Sequence, residues 1–144
     1  MDYISKNPVE TRQLAKKIAS QLKGGEILCL YGQLGAGKTV FISGLINYFI
    51  PGKRVLSPTF IIVRHYHPAD NKITNIYHVD LYRVSDEADI QGLGLVELMN
   101  QPNSIIAIEW ADRLGKFLPK ERIDINIKIK DTTKRVFQIK KWTK

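Results

Sequence analysis

Eight residues have the types and spacing of a phosphate-binding loop. Gly32-Gln33-Leu34-Gly35-Ala36-Gly37-Lys38-Thr39 fits G-x-x-x-x-G-K-[ST]. A triphosphate packs several negative charges into a small volume. Backbone N–H groups can solvate it only if they converge, and a loop wrapped that tightly needs glycine at Gly35 and Gly37, with small Ala36 between them. Lys38 brings a full positive charge, and the Thr39 hydroxyl suits a Mg²⁺ ion. Two acids follow apolar runs, Asp80 and Glu109. One can hold Mg²⁺ directly or through water, and the other can orient or deprotonate an attacking water. Glu109 is the stronger metal candidate, because Ile105-Ile106-Ala107-Ile108 suits a buried parallel strand. Trp110 follows it and either lines the site or packs at its rim. In Ser57-Pro58-Thr59-Phe60 the proline biases Ser57 away from helix. A hydroxyl there either reaches the γ-phosphate or its Mg²⁺, or belongs to an ordinary polar loop.

These residues need a scaffold. Gly25 to Tyr31 reads as a short buried strand before the loop, and Thr39 to Phe49 as a helix after it, with Phe41, Leu45 and Phe49 on one face. Strand, glycine loop and helix is the order a P-loop requires. Upstream, Asn7 caps a helix with Pro8 at its first position and Glu10 placed for a capping box. Leu14, Ile18 and Leu22 give it an apolar stripe with Ala15 and Ala19 beside them, and Gly24-Gly25 ends it. It reads first as a packing helix, and alternatively as one wall of an adenine pocket, with Thr11 near the nucleotide. Phe60 to His67 and Ile73 to Leu81 read as a hairpin around Pro68–Lys72. Short helices start at Ser85-Asp86-Glu87 and at Leu95. Ile123, Ile125, Ile127 and Ile129 alternate with polar residues, as in a half-buried strand. Asp131–Lys134 then turns, and Arg135 to Trp142 returns as its partner. The fold expected is α/β: one P-loop NTPase domain over residues 1–144, with a mixed central sheet flanked by helices and antiparallel hairpins added.

Composition narrows the class. The single cysteine, Cys29, lies in the apolar strand, so it reads as a buried thiol. No apolar run approaches a membrane span, and Met1–Lys6 lacks a signal-peptide core, so the reading is cytoplasmic with no membrane partner. The net charge of +8 is uneven: residues 116–144 hold ten Lys/Arg against three acids. That basic end can meet RNA or an acidic partner, or serve as a lysine-rich edge that blocks strand-to-strand aggregation. The second is favoured. A guanine-reading Asn-Lys-x-Asp motif is missing: Asn71-Lys72-Ile73-Thr74 lacks the acid, which favours ATP over GTP. His65 and His67 share a strand face without a third ligand, against a zinc site.

Gly32–Thr39, Ser57-Pro58-Thr59-Phe60, His78-Val79-Asp80-Leu81-Tyr82-Arg83 and Glu109-Trp110, in this order and spacing, resemble the bacterial TsaE (YjeE) family. The resemblance implies a small ATPase that works with TsaB and TsaD to make threonylcarbamoyladenosine in tRNAs reading codons that begin with A. It implies that ATP turnover drives or resets the partners without itself transferring the group. It assigns phosphate binding to Lys38 with Gly35, Ala36 and Gly37, Mg²⁺ to Thr39 and Glu109, a required acid to Asp80 and a switch-like loop to Thr59. Trp110, Thr11 and Arg135 match positions near the nucleotide. tRNA would be met indirectly or through the basic C-terminal hairpin. Gln33 stands where many members have Asp, which bears on intrinsic hydrolysis more than on binding. A small-molecule kinase would share the loop but need an arginine-bearing lid. The seven arginines here do not cluster between Asp80 and Glu109. A nucleotide-binding switch without catalysis is the other alternative.

Overall fold

The computed structural model describes residues 1–56 and 62–143. Seven strands form one sheet in the order β1-β7-β6-β2-β5-β4-β3, with β1 Asp2–Ser5, β2 Ile27–Tyr31, β3 Val63–Tyr66, β4 Asn75–Asp80, β5 Ser104–Glu109, β6 Arg122–Ile129 and β7 Arg135–Trp142. The central strands β6, β2, β5 and β4 are parallel, while β3 and β7 run antiparallel to their neighbours. This is the mixed α/β sheet expected, with both hairpins in place. β1 has no counterpart in the sequence reading: four residues pair with β7 from the far end of the chain. β1 therefore covers β7 over residues 135–139, while Lys140 and Lys141 of the lysine-rich edge expected there lie beyond that pairing.

Strand parity sorts the core onto two faces. Leu28 and Leu30 of β2 and Ile105 and Ala107 of β5 pack with α1 (Pro8–Ala19) and α2 (Lys38–Phe49). Ile27, Cys29, Ile106 and Ile108 pack on the other face with α3 (Glu87–Gly92), α4 (Leu95–Met99) and the 3₁₀ segment Ala111–Phe117. Burial pushes the Cys29 thiol up to about 12, with the nearby Asp124 carboxylate adding to the effect. A thiol reagent at neutral pH should therefore leave Cys29 untouched in the native protein and modify it only after denaturation; rapid native labelling would contradict the packing.

Three local expectations are corrected. α1 ends at Ala19 with Ser20 as its cap, well before Gly24-Gly25, so Leu22 lies in the following turn. Its fully inward stripe is Thr11, Ala15 and Ala19, while Leu14 and Ile18 are half-buried. Close approach to α2 explains the small residues. A Cβ added at Gly44 would lie 2.7 Å from both the Arg12 Cα and its carbonyl oxygen. In β6, Ile123, Ile125 and Ile127 are buried but Ile129 is exposed, and Asp124 on the expected wet face is buried. Arg122 Nε donates to its Oδ1 at 2.9 Å and Trp142 Nε1 to its Oδ2 at 2.7 Å, which compensates the buried charge. The Asn7 cap holds as expected, with Oδ1 accepting from the Glu10 N–H at 2.9 Å.

Candidate functional site

β2 runs straight into the glycine loop, and α2 begins at Lys38. Gly37 precedes it at φ 104° and brings no side-chain cap. The first-turn N–H groups of α2 thus keep the anion-facing role that a helix start gives them. At the loop's other end, Gly32 has φ 155°, and a Cβ there would meet the Ile127 carbonyl at 2.8 Å. Close contact with β6 thus requires glycine at Gly32, whereas at Gly35 and Gly37 space is open and the positive φ, 82° and 104°, favours it.

The parallel register brings the two acids together. β4 and β5 align Asp80 with Glu109, and both lie on the α2 face by parity. The Thr39 hydroxyl donates to Glu109, lying 3.1 Å from both Oε1 and Oε2. Glu109 is only 3% exposed, so its charge is held by donors and not by water. Asp80 accepts from the Tyr82 N–H at 2.9 Å, which fixes its carboxylate at the rim of the same cleft.

Lys38 is buried as well. Its Nζ donates to the Gly32 carbonyl at 2.6 Å and the Gln33 carbonyl at 2.9 Å, and lies 4.2 Å from the Trp110 ring centroid. Burial draws the ammonium below the usual lysine value, while Glu109, Asp80 and Asp112 act against that. Trp110 is the one non-glycine residue at positive φ among those described, at φ 58°. A left-handed residue of this kind costs about 1–2 kcal/mol. The turn swings the chain from β5 into the 3₁₀ segment and brings the indole beside Tyr82, with 5.1 Å between ring centroids.

Two clefts share the loop. One of about 410 Å³ joins Gly35, Gly37, Lys38, Thr39, Asp80, Glu109 and Trp110, with Leu34, Tyr82 and Arg83 at its walls. The other, of about 250 Å³, joins Thr11 and Arg135 to Gly35, Ala36 and Gly37, between the start of α1 and the β6–β7 turn. Thr11 Oγ1 is 2.6 Å from Ser5 Oγ, so its hydroxyl is already engaged. Arg135 Nη2 donates to the Gly35 carbonyl at 3.3 Å and ties that turn to the loop. The site residues predicted from sequence therefore gather around one loop, except Thr59, which lies outside the described residues. The Thr39 hydroxyl and the Asp80 and Glu109 carboxylates form an all-oxygen donor set, which fits a hard cation such as Mg²⁺.

Sequence reasoning missed His78. It is 0% exposed, and its Nε2 lies 2.5 Å from Glu109 Oε2. The signal was present: two residues before Asp80 on a strand is the same face. No group of three or more His, Cys, Asp or Glu suited to a metal occurs among the described residues. No helix there is long and apolar enough to cross a membrane.

A family model described as threonylcarbamoyl adenosine biosynthesis protein TsaE matches residues 5–137. A Rickettsia typhi protein named tRNA threonylcarbamoyladenosine biosynthesis protein TsaE is 40% identical over 134 residues, covering 92% of this chain and 89% of that protein. A Bacillus subtilis protein of the same name is 39% identical over 122 residues, 85% of this chain and 73% of that one. The crystal structure of Bacillus subtilis YdiB superposes with a TM-score of 0.81 at 30% identity, covering 99% of this chain and 86% of that one.

Proposed function

The chain belongs to the TsaE family of tRNA threonylcarbamoyladenosine biosynthesis, and on that premise we propose that it is a Mg²⁺-dependent ATPase acting with TsaB and TsaD. The observation that carries the reading is the Thr39 hydroxyl held by both oxygens of a buried Glu109, beside the loop lysine. Thr39 and Glu109 would hold Mg²⁺, and Lys38 would take the phosphates. Bound Mg²⁺ supplies charge neutralisation on the phosphate oxygens and a fixed orientation for them. The protein's own part is positional. Lys38 leaves the Gly32 and Gln33 carbonyls for phosphate oxygens, the α2 N–H groups face the same anion, and Asp80 orients the attacking water and takes its proton. Trp110 screens the site from solvent, and the Thr59 hydroxyl would act on the γ-phosphate or its Mg²⁺.

Thr11 and Arg135 place the base and ribose in the second cleft, so ATP lies across the loop from one cleft to the other. Replacing Arg135 with alanine is expected to weaken ATP-analogue binding by about fivefold, roughly 1 kcal/mol, with little change in the rate of bound nucleotide. Calorimetric titration checks it, and unchanged affinity would remove the base from that cleft. The nucleotide cycle drives or resets the TsaB–TsaD pair, and tRNA is met through those partners or at the basic hairpin of β6 and β7. The test of the whole reading is calorimetry with ATP and GTP analogues, with and without Mg²⁺. ATP-analogue binding that needs Lys38 and strengthens with Mg²⁺ supports it; binding that survives Lys38→Ala contradicts it.

A further inference from the structure

His78 has no part in the assignments above, yet its Nε2 lies 2.5 Å from Glu109 Oε2. The ring is 0% exposed, and its other nitrogen, Nδ1, is buried without a hydrogen-bond partner. An ionised carboxylate offers only acceptors. A hydrogen bond at Nε2 therefore requires the proton there, and in the neutral imidazole that leaves Nδ1 as a bare acceptor. The opposite tautomer would set a lone pair against the carboxylate and strand an N–H in the core. The geometry thus selects one tautomer.

Among the described residues, Glu109 has two side-chain donors, Thr39 and His78. Under the Mg²⁺–ATP reading, on which this inference rests, the Thr39 hydroxyl is a ligand to the cation. His78 is then the side-chain donor dedicated to holding the carboxylate. We propose that His78 is a positioning residue that fixes Glu109 in its Mg²⁺-binding orientation from inside the core, and is more than core filling. Groups that orient a metal-binding side chain from behind set metal affinity strongly.

Side-chain length supplies the test. Glutamine can place its amide nitrogen near the Nε2 position, while asparagine is polar but too short to reach Oε2. Binding of a non-hydrolysable ATP analogue is titrated with Mg²⁺ by calorimetry for wild type, His78→Gln and His78→Asn, with an EDTA baseline and melting curves alongside. The Mg²⁺ requirement is expected to stay within about threefold of wild type for His78→Gln and to rise about tenfold or more for His78→Asn. All three should bind the analogue equally in EDTA. His78→Asn matching wild type, or His78→Gln failing as badly as His78→Asn, overturns the proposal. A wild type whose binding is indifferent to Mg²⁺ overturns the underlying reading and this one with it. If His78→Asn does not fold, imidazole ¹⁵N spectra of the wild type decide: a proton on Nε2 that responds to Glu109→Gln supports the role, and a proton on Nδ1 overturns it.

Discussion

Glu109→Gln is expected to lower single-turnover ATP hydrolysis by roughly two to three orders of magnitude while leaving nucleotide binding in EDTA intact. The argument is electrostatic. Glu109 is 3% exposed, so little water stands between its charge and a cation at Thr39. Glutamine keeps the volume, and its amide oxygen can still accept from His78 Nε2, so the fold is retained. The negative charge is lost and one acceptor oxygen becomes an NH₂ donor, which the Thr39 hydroxyl oxygen can accept from, and a neutral amide is a poor ligand for Mg²⁺. Alanine would be a less clean probe, since it also strands the buried His78 donor, at a cost of about 1–3 kcal/mol. Rapid-quench measurement with excess protein reads the step directly. A Glu109→Gln rate near wild type would move the metal-binding role to Asp80.

Gly44→Val is expected to destabilise the protein by about 3 kcal/mol or more, a large share of the 5–15 kcal/mol typical of a domain. The added Cβ would sit 2.7 Å from the Arg12 Cα and carbonyl oxygen and 3.0 Å from the Ala15 Cβ. Backbone atoms cannot rotate away, so α1 and α2 must separate along Thr11, Ala15 and Ala19. The gain in helix propensity, about 1 kcal/mol for glycine to alanine and less for β-branched valine, does not offset this. Because α1 also carries Thr11, separation should loosen the cleft shared with Arg135. Gly92→Ala is the internal control, since nothing lies within 4 Å of its added Cβ. Thermal melts of both variants check the prediction, and a Gly44→Val midpoint equal to that of Gly92→Ala would contradict the packing.

Legibility in the sequence followed how local each signal was. β5 was readable because Ile105–Ile108 is unbroken and ends on Glu109, and the short strand-loop-helix run read itself. β1 was not, because Asp2–Ser5 is short and mixed, and its pairing with Arg135–Gln138 spans nearly the whole chain. The apolar face of α1 is legible, with Ala15 and Ala19 beside Leu14 and Ile18, but not which of them lies deepest. Gly44 forces the contact so close that alanines go inside and Leu14 stays at the flank. The sequence shows His78 only as part of the strand that ends in Asp80. Parity set it beside Asp80, but its role depends on a neighbour strand 31 residues away. The gathering of Lys38, Thr39, Asp80, Glu109 and Trp110 at one cleft was legible, because a P-loop fixes where strand ends must point.

The most direct measurement is ATP hydrolysis by the purified chain, alone and with TsaB and TsaD, under single-turnover and steady-state conditions. A partner-driven ATPase should turn over slowly alone and faster with the pair, and lose both activities on Lys38→Ala or Glu109→Gln. A rate indifferent to the partners, with phosphate passed to an added small acceptor, would contradict the account and make this a kinase on the same loop.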